Sequence, residues 1–498
     1  LKRLFSLLAV CLLGVATVLG FAPFYLYLVP VITLALLVLF WRKSSTPMQA
    51  AITGFAFGMG LFGAGVTWLY VSLHDFGHMA PALAVLALIV LCAYLSLFPA
   101  LVGWIVTWRY FRSAWIWPGI VAAVWVLMEW LRGTILFAGF PWLAVGYSQV
   151  PDSLLAGYAP VVGVYGVSLL LMLGVAWLAC WLAQRQQYRC WLYLASIWII
   201  GFGLQQIHWT QPEDEPVTVS LLQGNIPQDM KWEPEHLAAT MRAYARLVQA
   251  SPSRLIVTPE ISFPIYYDQA PRDYLEFLTE HALTQQGDVL VGMLEYSAAD
   301  NGYYNSMFSF GASPEQSYRK YHLVPFGEYI PLKTIFGWVI DVLHIPLSDF
   351  SRGKPGQQPL NLAGQRVAVN ICYEDVFGEE IILQLPQASL LVNVSNDAWF
   401  GRSIGPRQHL QISQMRALET GRYMLRSTNT GVTAIINERG QVLQQLEMFT
   451  TAGLHGVAQG FKGATPYVRF GNSIVLGLIG LILFAGGVVA FFGRYKTL

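Results

Sequence analysis

The chain has 498 residues, 55% of them hydrophobic and only 12% charged, against roughly 25% charged in an ordinary soluble protein. That shortfall argues against a fully water-soluble globule. The formal net charge of +1, with no basic domain or stripe, argues against a nucleic-acid-binding role. The charges are also unevenly placed: residues 211–470 hold 19 basic and 26 acidic residues, and the flanking stretches hold 11 basic and 3 acidic. Two solvents are implied, lipid for the flanks and water for the middle.

Crossing a ~30 Å hydrocarbon core takes about 20 apolar residues. Runs of that kind lie near residues 4–21, 24–40, 50–72, 79–107, 115–137, 160–183, 190–208 and 472–492. The reading is an α-helical membrane bundle of eight spans, with seven in residues 1–210, a watery domain at 211–470, and the eighth span and a tail at 471–498. Lys2 and Arg3 precede the first run as they would in a signal peptide. No clean small-x-small cleavage site follows and a second span begins at once, so it reads as an uncleaved first helix.

Lys and Arg accumulate on the cytoplasmic side of a membrane. Lys2 and Arg3, Arg42 and Lys43, Arg109 and Arg112, Arg185 and Arg189, and Arg494 and Lys496 fall on every second boundary, and the alternate boundaries carry none. Both termini are therefore expected inside, and residues 211–470 outside, which is the periplasm in a Gram-negative bacterium. Gly58, Gly60, Gly63 and Gly65 form small-residue rows suited to close helix packing. Glu129 and Arg132, at i and i+3, can pair on one helix face; either a self-neutralising pair or a place near a substrate fits them.

In the middle segment, 217–223, 255–258, 289–294, 305–310, 367–371, 390–395 and 432–437 read as strands. Helical patterns at 236–249, 272–284 and 408–422 lie between them. Nearly continuous apolar strands alternating with helices predict buried sheets covered by helices, an α/β layered fold. Residues 211–216, QPEDEP, are acidic and proline-rich, as a domain boundary should be.

Of the cysteines Cys11, Cys92, Cys180, Cys190 and Cys372, only Cys372 lies in the watery domain. It has no partner there for a disulfide. It ends the strand VAVNI where Tyr373, Glu374 and Asp375 resemble the start of a helix. A nucleophile at such a turn is exposed, and helix-end N–H groups lower its pKa and can hold an oxyanion. A thiol also needs a base and an electrophilic helper. Glu260 closes RLIVTPE, with Pro259 ending the ladder, and Lys320 sits among aromatic and apolar residues in YRKYHLVPFGEY. The nine histidines show no HExxH or paired-ligand spacing, so no metal site is expected.

TPE (258–260), RKYHLVPFGEY (319–329) and NICYED (370–375), in that order, resemble the Glu-Lys-Cys signature of the nitrilase superfamily. That resemblance implies an αββα sandwich and acyl transfer through a cysteine thioester. Joined to a multi-span membrane part, the pattern is similar to that of the bacterial apolipoprotein N-acyltransferases. Further matches are GFAPF (20–24), EWLRG with GFPW (129–133, 139–142), GYSQ (146–149) and QGNIPQDMKW (223–232).

The resemblance implies Cys372 as nucleophile, Glu260 as general base and Lys320 as cationic donor to the oxyanion, helped by the backbone N–H of Tyr373. It also implies Glu328 and Glu374 as supporting acids and Trp232 at the substrate mouth. The implied donor is a membrane phospholipid, phosphatidylethanolamine first, acylated at sn-1; the acceptor is a diacylated apolipoprotein; no cofactor is implied. The rival readings are a membrane-tethered amidase or nitrilase that passes the acyl group to water, and a transporter or scaffold whose outer domain only binds.

Overall fold

The computed structural model describes residues 2–108, 116–134, 139–183, 189–331, 334 and 349–495. The chain divides into two compact units, one of Leu1–Tyr70, Ala80–His208 and Phe470–Leu498, the other of Val71–Met79 and Trp209–Arg469.

The first unit is helical. Each apolar run contains a helix: Lys2–Thr17, Leu28–Lys43, Pro47–Gly65, Pro81–Val106, Trp117–Thr134, Ala159–Ala183, Arg189–Gln205 and Ser473–Tyr495. Among the described residues, Arg3–Gly20, Pro81–Val106 and Leu154–Ala183 are long and apolar enough to cross a membrane, joined by Pro47–Gly65 with Trp68–Phe76 if that bent pair counts as one span. A helix such as Leu28–Lys43, with 16 residues, extends only about 24 Å. The small-residue row is largely a packing device. A side chain on Gly58 would strike Ser96, one on Gly60 the Cys11 carbonyl and one on Gly65 the Leu143 side chain, whereas Gly63 opens on free space.

Glu129 and Arg132 both bind the segment that follows their own helix. Glu129 Oε1 accepts from Trp125 Nε1 at 2.8 Å and from the Val145 N–H at 2.9 Å. Arg132 Nη1 donates to the carbonyls of Phe140 and Trp142 at 2.6 and 2.7 Å. The two halves of the EWLRG and GFPW pattern are thus tied to each other. Both charged residues are buried and hold backbone in place.

The second unit is a sandwich of two sheets. One sheet contains β1 (Gln211–Gln223), β2 (Leu255–Val257), β3 (Phe263–Tyr266), β4 (Asp288–Ser297), β5 (Gly302–Gly311), β6 (Ser317–Arg319) and, at its far edge, β13 (Ala452–Lys462). Its order is β13-β1-β2-β4-β5-β6, with β3 on β4. The other runs β12 (Val442–Gln445), β11 (Ala434–Ile436), β10 (Met424–Thr428), β9 (Leu390–Ser395), β8 (Gln365–Ile371) and β7 (Leu360–Leu362).

Side chains alternate along a strand, and here both faces are covered. Val217, Val219, Leu221, Val367, Val369, Ile371, Val392 and Val394 meet between the sheets. Val289, Val291 and Met293 turn outward against Tyr244, Val248 and Leu278 of helices Pro234–Gln249 and Arg272–Thr284. Ala368 and Leu391 turn outward on the other side, against Leu410 and Ala417 of helix Gly405–Thr420. The layers are helix, sheet, sheet, helix, and each fully buried large apolar side chain contributes about 1.5–3 kcal/mol.

Residues 211–216 differ from the expected linker. They open β1, where Gln211–Glu213 pair with Gly460–Lys462 before a bulge leads to Val217. Strand pairing, with Arg366 Nη2 donating to Glu213 at 2.7 Å and Gln459 Nε2 donating to the Glu213 carbonyl at 3.0 Å, offsets an unfavourable composition there. Residues 71–79 also join this unit, which the apolar run at 50–72 did not foreshadow: Ser72 Oγ donates to the Trp399 carbonyl at 2.7 Å and the Phe76 ring lies edge-on to Trp399.

Beneath the second sheet is a buried ion cluster. Arg426 donates to Asp397 at 2.9 Å, Asp375 at 3.3 Å and the Asn393 Oδ1 at 2.5 Å. His409 bridges Asp375 at 2.8 Å and Asp397 at 3.0 Å. Burial and Arg426 would lower the His409 pKa, but the two aspartates raise it above its ordinary value. Burial would raise Asp397, yet Arg426 and His409 hold it well below the usual carboxylate range. Removing one partner strands the others in a dry interior. Arg426→Met is expected to cost about 3–5 kcal/mol, read as a lowered melting temperature of the detergent-solubilised protein; an unchanged melting temperature would contradict the cluster's structural role.

Candidate active site

The site is built on strand ends. Glu260 lies three residues beyond β2, Lys320 directly follows β6, and Cys372 directly follows β8. Strand ends suit this task because the ladder fixes the backbone while the next residue is released from pairing. Three connections here hold a non-glycine residue at positive φ: Ile261 (43°), Phe326 (61°) and Cys372 (54°). Each such conformation costs of order 1–3 kcal/mol and persists only where the surroundings enforce it.

The structure brings Glu260, Lys320 and Glu328 into direct contact. Lys320 Nζ donates to Glu260 Oε1 at 3.0 Å and to Glu328 Oε1 at 2.8 Å, with the lysine side chain 1% exposed. Burial alone would lower the Lys320 pKa, but Glu260 and Glu328 outweigh it and hold the ammonium well above its ordinary value. Glu260 has the mirror-image balance: burial would raise it, and Lys320 and Lys231 bring it below. Asn305 Nδ2 donates to Glu260 Oε1 at 2.8 Å, and the Asn396 N–H donates to Oε2 at 2.9 Å. The Val324 N–H donates to Glu328 Oε2 at 2.8 Å.

Cys372 begins the short 3₁₀ turn Cys372–Val376 and is partly exposed. Its thiol interacts electrostatically with Glu260 and Lys320. Contrary to the expectation of a lowered pKa, burial and then the Glu260 charge push it well above the ordinary thiol value, with Lys320 and a Ser395 hydrogen bond only partly offsetting them. A turn of five residues supplies too small a dipole to reverse that balance. Cys372 is therefore held toward its thiol form, and the Glu260 carboxylate, held toward its ionised form, is among the charges bearing on it.

Glu374 spans the site as a strut. Its Oε2 accepts from the Ile371 N–H at 2.6 Å and from the Tyr318 hydroxyl at 3.0 Å; its Oε1 accepts from the N–H groups of Tyr321 and His322 at 2.6 and 3.1 Å. One carboxyl thereby locks the residue before Cys372 to the two residues after Lys320. Burial raises its pKa to about 7. Three of its hydrogen bonds go to backbone N–H groups and one to Tyr318, so Glu374 braces the turn that begins at Cys372. Tyr373 is half-buried, with its ring edge-on to Phe377 (5.2 Å) and His322 (5.9 Å). Trp232 is half-buried; its ring centroid lies 5.9 Å from Lys231 Nζ, and its Nε1 is enclosed without a hydrogen-bond partner among the described residues.

Sequence reasoning missed Lys231, Asn305, Asn393 and Asn396. Lys231 donates to the Glu260 carbonyl at 3.2 Å, and Asn393 Nδ2 donates to the Cys372 carbonyl at 3.2 Å. A signal existed for three of them. Lys231 is inside QGNIPQDMKW, and Asn393 and Asn396 interrupt the otherwise apolar LLVNVSN, where a polar residue in a doubly covered strand needs a buried partner. Among the described residues no group of three His, Cys, Asp or Glu is arranged to hold a metal ion.

Residues 13–177 match the apolipoprotein N-acyltransferase N-terminal domain, and residues 218–455 match the carbon-nitrogen hydrolase family. The chain is 79% identical over 494 residues to the apolipoprotein N-acyltransferase of Nitrosomonas europaea, covering 99% of both chains. It is 45% identical over 475 residues to that of Methylococcus capsulatus, covering 93% of this chain and 92% of the other. With the enzyme of Chromobacterium violaceum it shares 42% identity over 489 residues, 97% of this chain and 94% of the other. Matched in its helical part, its sandwich part and nearly its whole length, the chain belongs to the apolipoprotein N-acyltransferase family.

Proposed function

We propose that this protein transfers a fatty acyl group from the sn-1 position of a phospholipid, phosphatidylethanolamine being the expected donor, to the N-terminal amine of a diacylglyceryl-cysteine apolipoprotein. The observation that carries the reading is the buried Glu260–Lys320–Glu328 contact with the Cys372 thiol in its field, within a chain related over its whole length to enzymes named for this reaction.

The thiol proton passes to Glu260 as Sγ attacks the ester carbonyl. Lys320, unable to lose its own proton, stabilises the oxyanion together with the Tyr373 N–H. Collapse breaks the ester C–O bond, and Glu260 returns the proton to the departing lysophospholipid oxygen. The thioester holds the acyl group until the α-amine of the second substrate attacks. That amine has a pKa near 8, so its neutral form is available to attack; Glu260 takes the proton that the nitrogen loses as the amide forms and returns it to the departing Cys372 sulfur, which restores the thiol and the carboxylate. Trp232 and Tyr373 would line the mouth; Glu328 would hold Lys320, and Glu374 the turn.

Cys372→Ala and Cys372→Ser are expected to abolish N-acylation of a diacylated lipopeptide while leaving the melting temperature near that of the parent; full activity in Cys372→Ala would overturn the reading. Glu260→Gln removes the base and should slow lysophospholipid release by about 10²–10⁴-fold. Release at the parental rate would exclude Glu260 as the proton acceptor.

The expected setting is a bacterial inner membrane, with 1–210 and 471–498 as the spanning parts and 211–470 on the periplasmic side. The alternation of Lys and Arg across the boundaries supports eight crossings with both termini inside. Glu235 is exposed, so Glu235→Cys in a Cys372→Ala background should react with an impermeant maleimide in intact spheroplasts. Reaction only after lysis would reverse the orientation.

A further inference from the structure

The mechanism above leaves unused a buried cation seated against Glu260. Lys231 is 4% exposed, its Nζ donates to the Glu260 carbonyl at 3.2 Å, and its charge interacts with both the Glu260 carboxylate and Cys372. An ammonium is costly to bury and normally acquires a carboxylate partner. Lys320 has two, at 3.0 and 2.8 Å. Lys231 has a backbone carbonyl and the shared field of two groups that exchange a proton during the proposed reaction.

Charge bookkeeping shows what that arrangement does. At rest Glu260 and Glu328 are negative, Lys320 and Lys231 are positive and Cys372 is a neutral thiol, so the group is neutral. When the proton leaves Sγ for the Glu260 carboxylate, the negative charge moves to sulfur and the group is still neutral. Without Lys231 the same group carries one excess negative charge in both states, and Lys320 is committed to two carboxylates while a third anion forms.

We propose that Lys231 is a positioning residue of the acyl-transfer site, a second ammonium seated on the Glu260 backbone that stabilises the Cys372 thiolate as Glu260 takes its proton. The proposal rests on the thioester reading and deepens it. The two lysines divide the work. Lys320 is locked in the charged form by its carboxylates, whereas burial brings Lys231 down to about 8 even though Glu260 and Cys372 favour its charged form. The other charged groups bearing on Cys372 are Glu260, Lys320 and Asp397; Asp397 is already balanced by Arg426 and His409. Lys231 is therefore the cation left to answer the thiolate.

The test is the rate of Cys372 alkylation by iodoacetamide at pH 7, where Lys231 carries its proton, read by peptide mass, in the full-length protein and in Lys231→Gln and Lys231→Arg. Gln keeps a donor for the Glu260 carbonyl and removes the charge; Arg keeps the charge. The alkylation rate at pH 7 in Lys231→Gln is expected to fall about tenfold, and acyl-enzyme formation from phospholipid at the same pH to slow about tenfold, with Lys231→Arg recovering most of both. An unchanged rate at pH 7 in Lys231→Gln, or an equal loss in Lys231→Arg, overturns the assignment. Alkylation does not depend on lipid chemistry, so failure of the thioester reading would be separately visible as full transfer activity in Cys372→Ala.

Discussion

Lys320 is an ammonium almost without water, and two carboxylates at 3.0 and 2.8 Å keep it charged. Much of the candidate site follows from that constraint. A buried cation without partners would lose its proton, and two buried carboxylates without a cation would share one. The three groups are therefore stable only as a set. Their backbones come from three different places in the chain: the connection after β2, the residue after β6 and the loop that holds Phe326 at positive φ. Asn305 and the Asn396 N–H satisfy the remaining lone pairs of Glu260, and such satisfaction is what makes a buried ionic group tolerable.

Cys372 is held in place through backbone. Glu374 binds N–H groups on both sides of the gap between Cys372 and Lys320, and Asn393 holds the Cys372 carbonyl. The strain at Cys372 is thus enforced by groups that do not react. Keeping the resting sulfur protonated has a further consequence. Oxidation follows thiolate character, so a sulfur held protonated resists it.

Much of the architecture was legible in the sequence, for identifiable reasons. The strands β1, β4, β8 and β9 are covered on both faces, so they appear as apolar runs. β10 was hidden by Arg426 at its centre, whose partners Asp375, Asp397 and Asn393 are remote in sequence. β13, AGLHGVAQGFK, was hidden by its glycines. Gly456 and Gly460 mark close approach to Gln444 and Gln365 rather than a turn. Glu260 and Cys372 stood out because each follows an apolar strand, Lys320 because it sits among aromatic and apolar residues, and the three motifs occur in a recognisable order. Backbone donors such as the Asn396 N–H leave no trace in residue type, and Lys231 was passed over because its neighbour Trp232 was the more conspicuous residue. The lowered thiol pKa expected from a helix end failed because burial and the Glu260 charge outweigh a five-residue turn.

The central claim is that the acyl group rests on one sulfur between two lipid substrates. It is tested most directly by incubating the protein with a phospholipid of defined sn-1 chain, mapping the adduct by peptide mass, and then adding a diacylated lipopeptide. The account predicts one acyl chain, that of the sn-1 position, on the peptide containing Cys372, discharged by the lipopeptide with formation of its N-acyl product. Transfer that proceeds with no adduct on Cys372 under single-turnover conditions would contradict it.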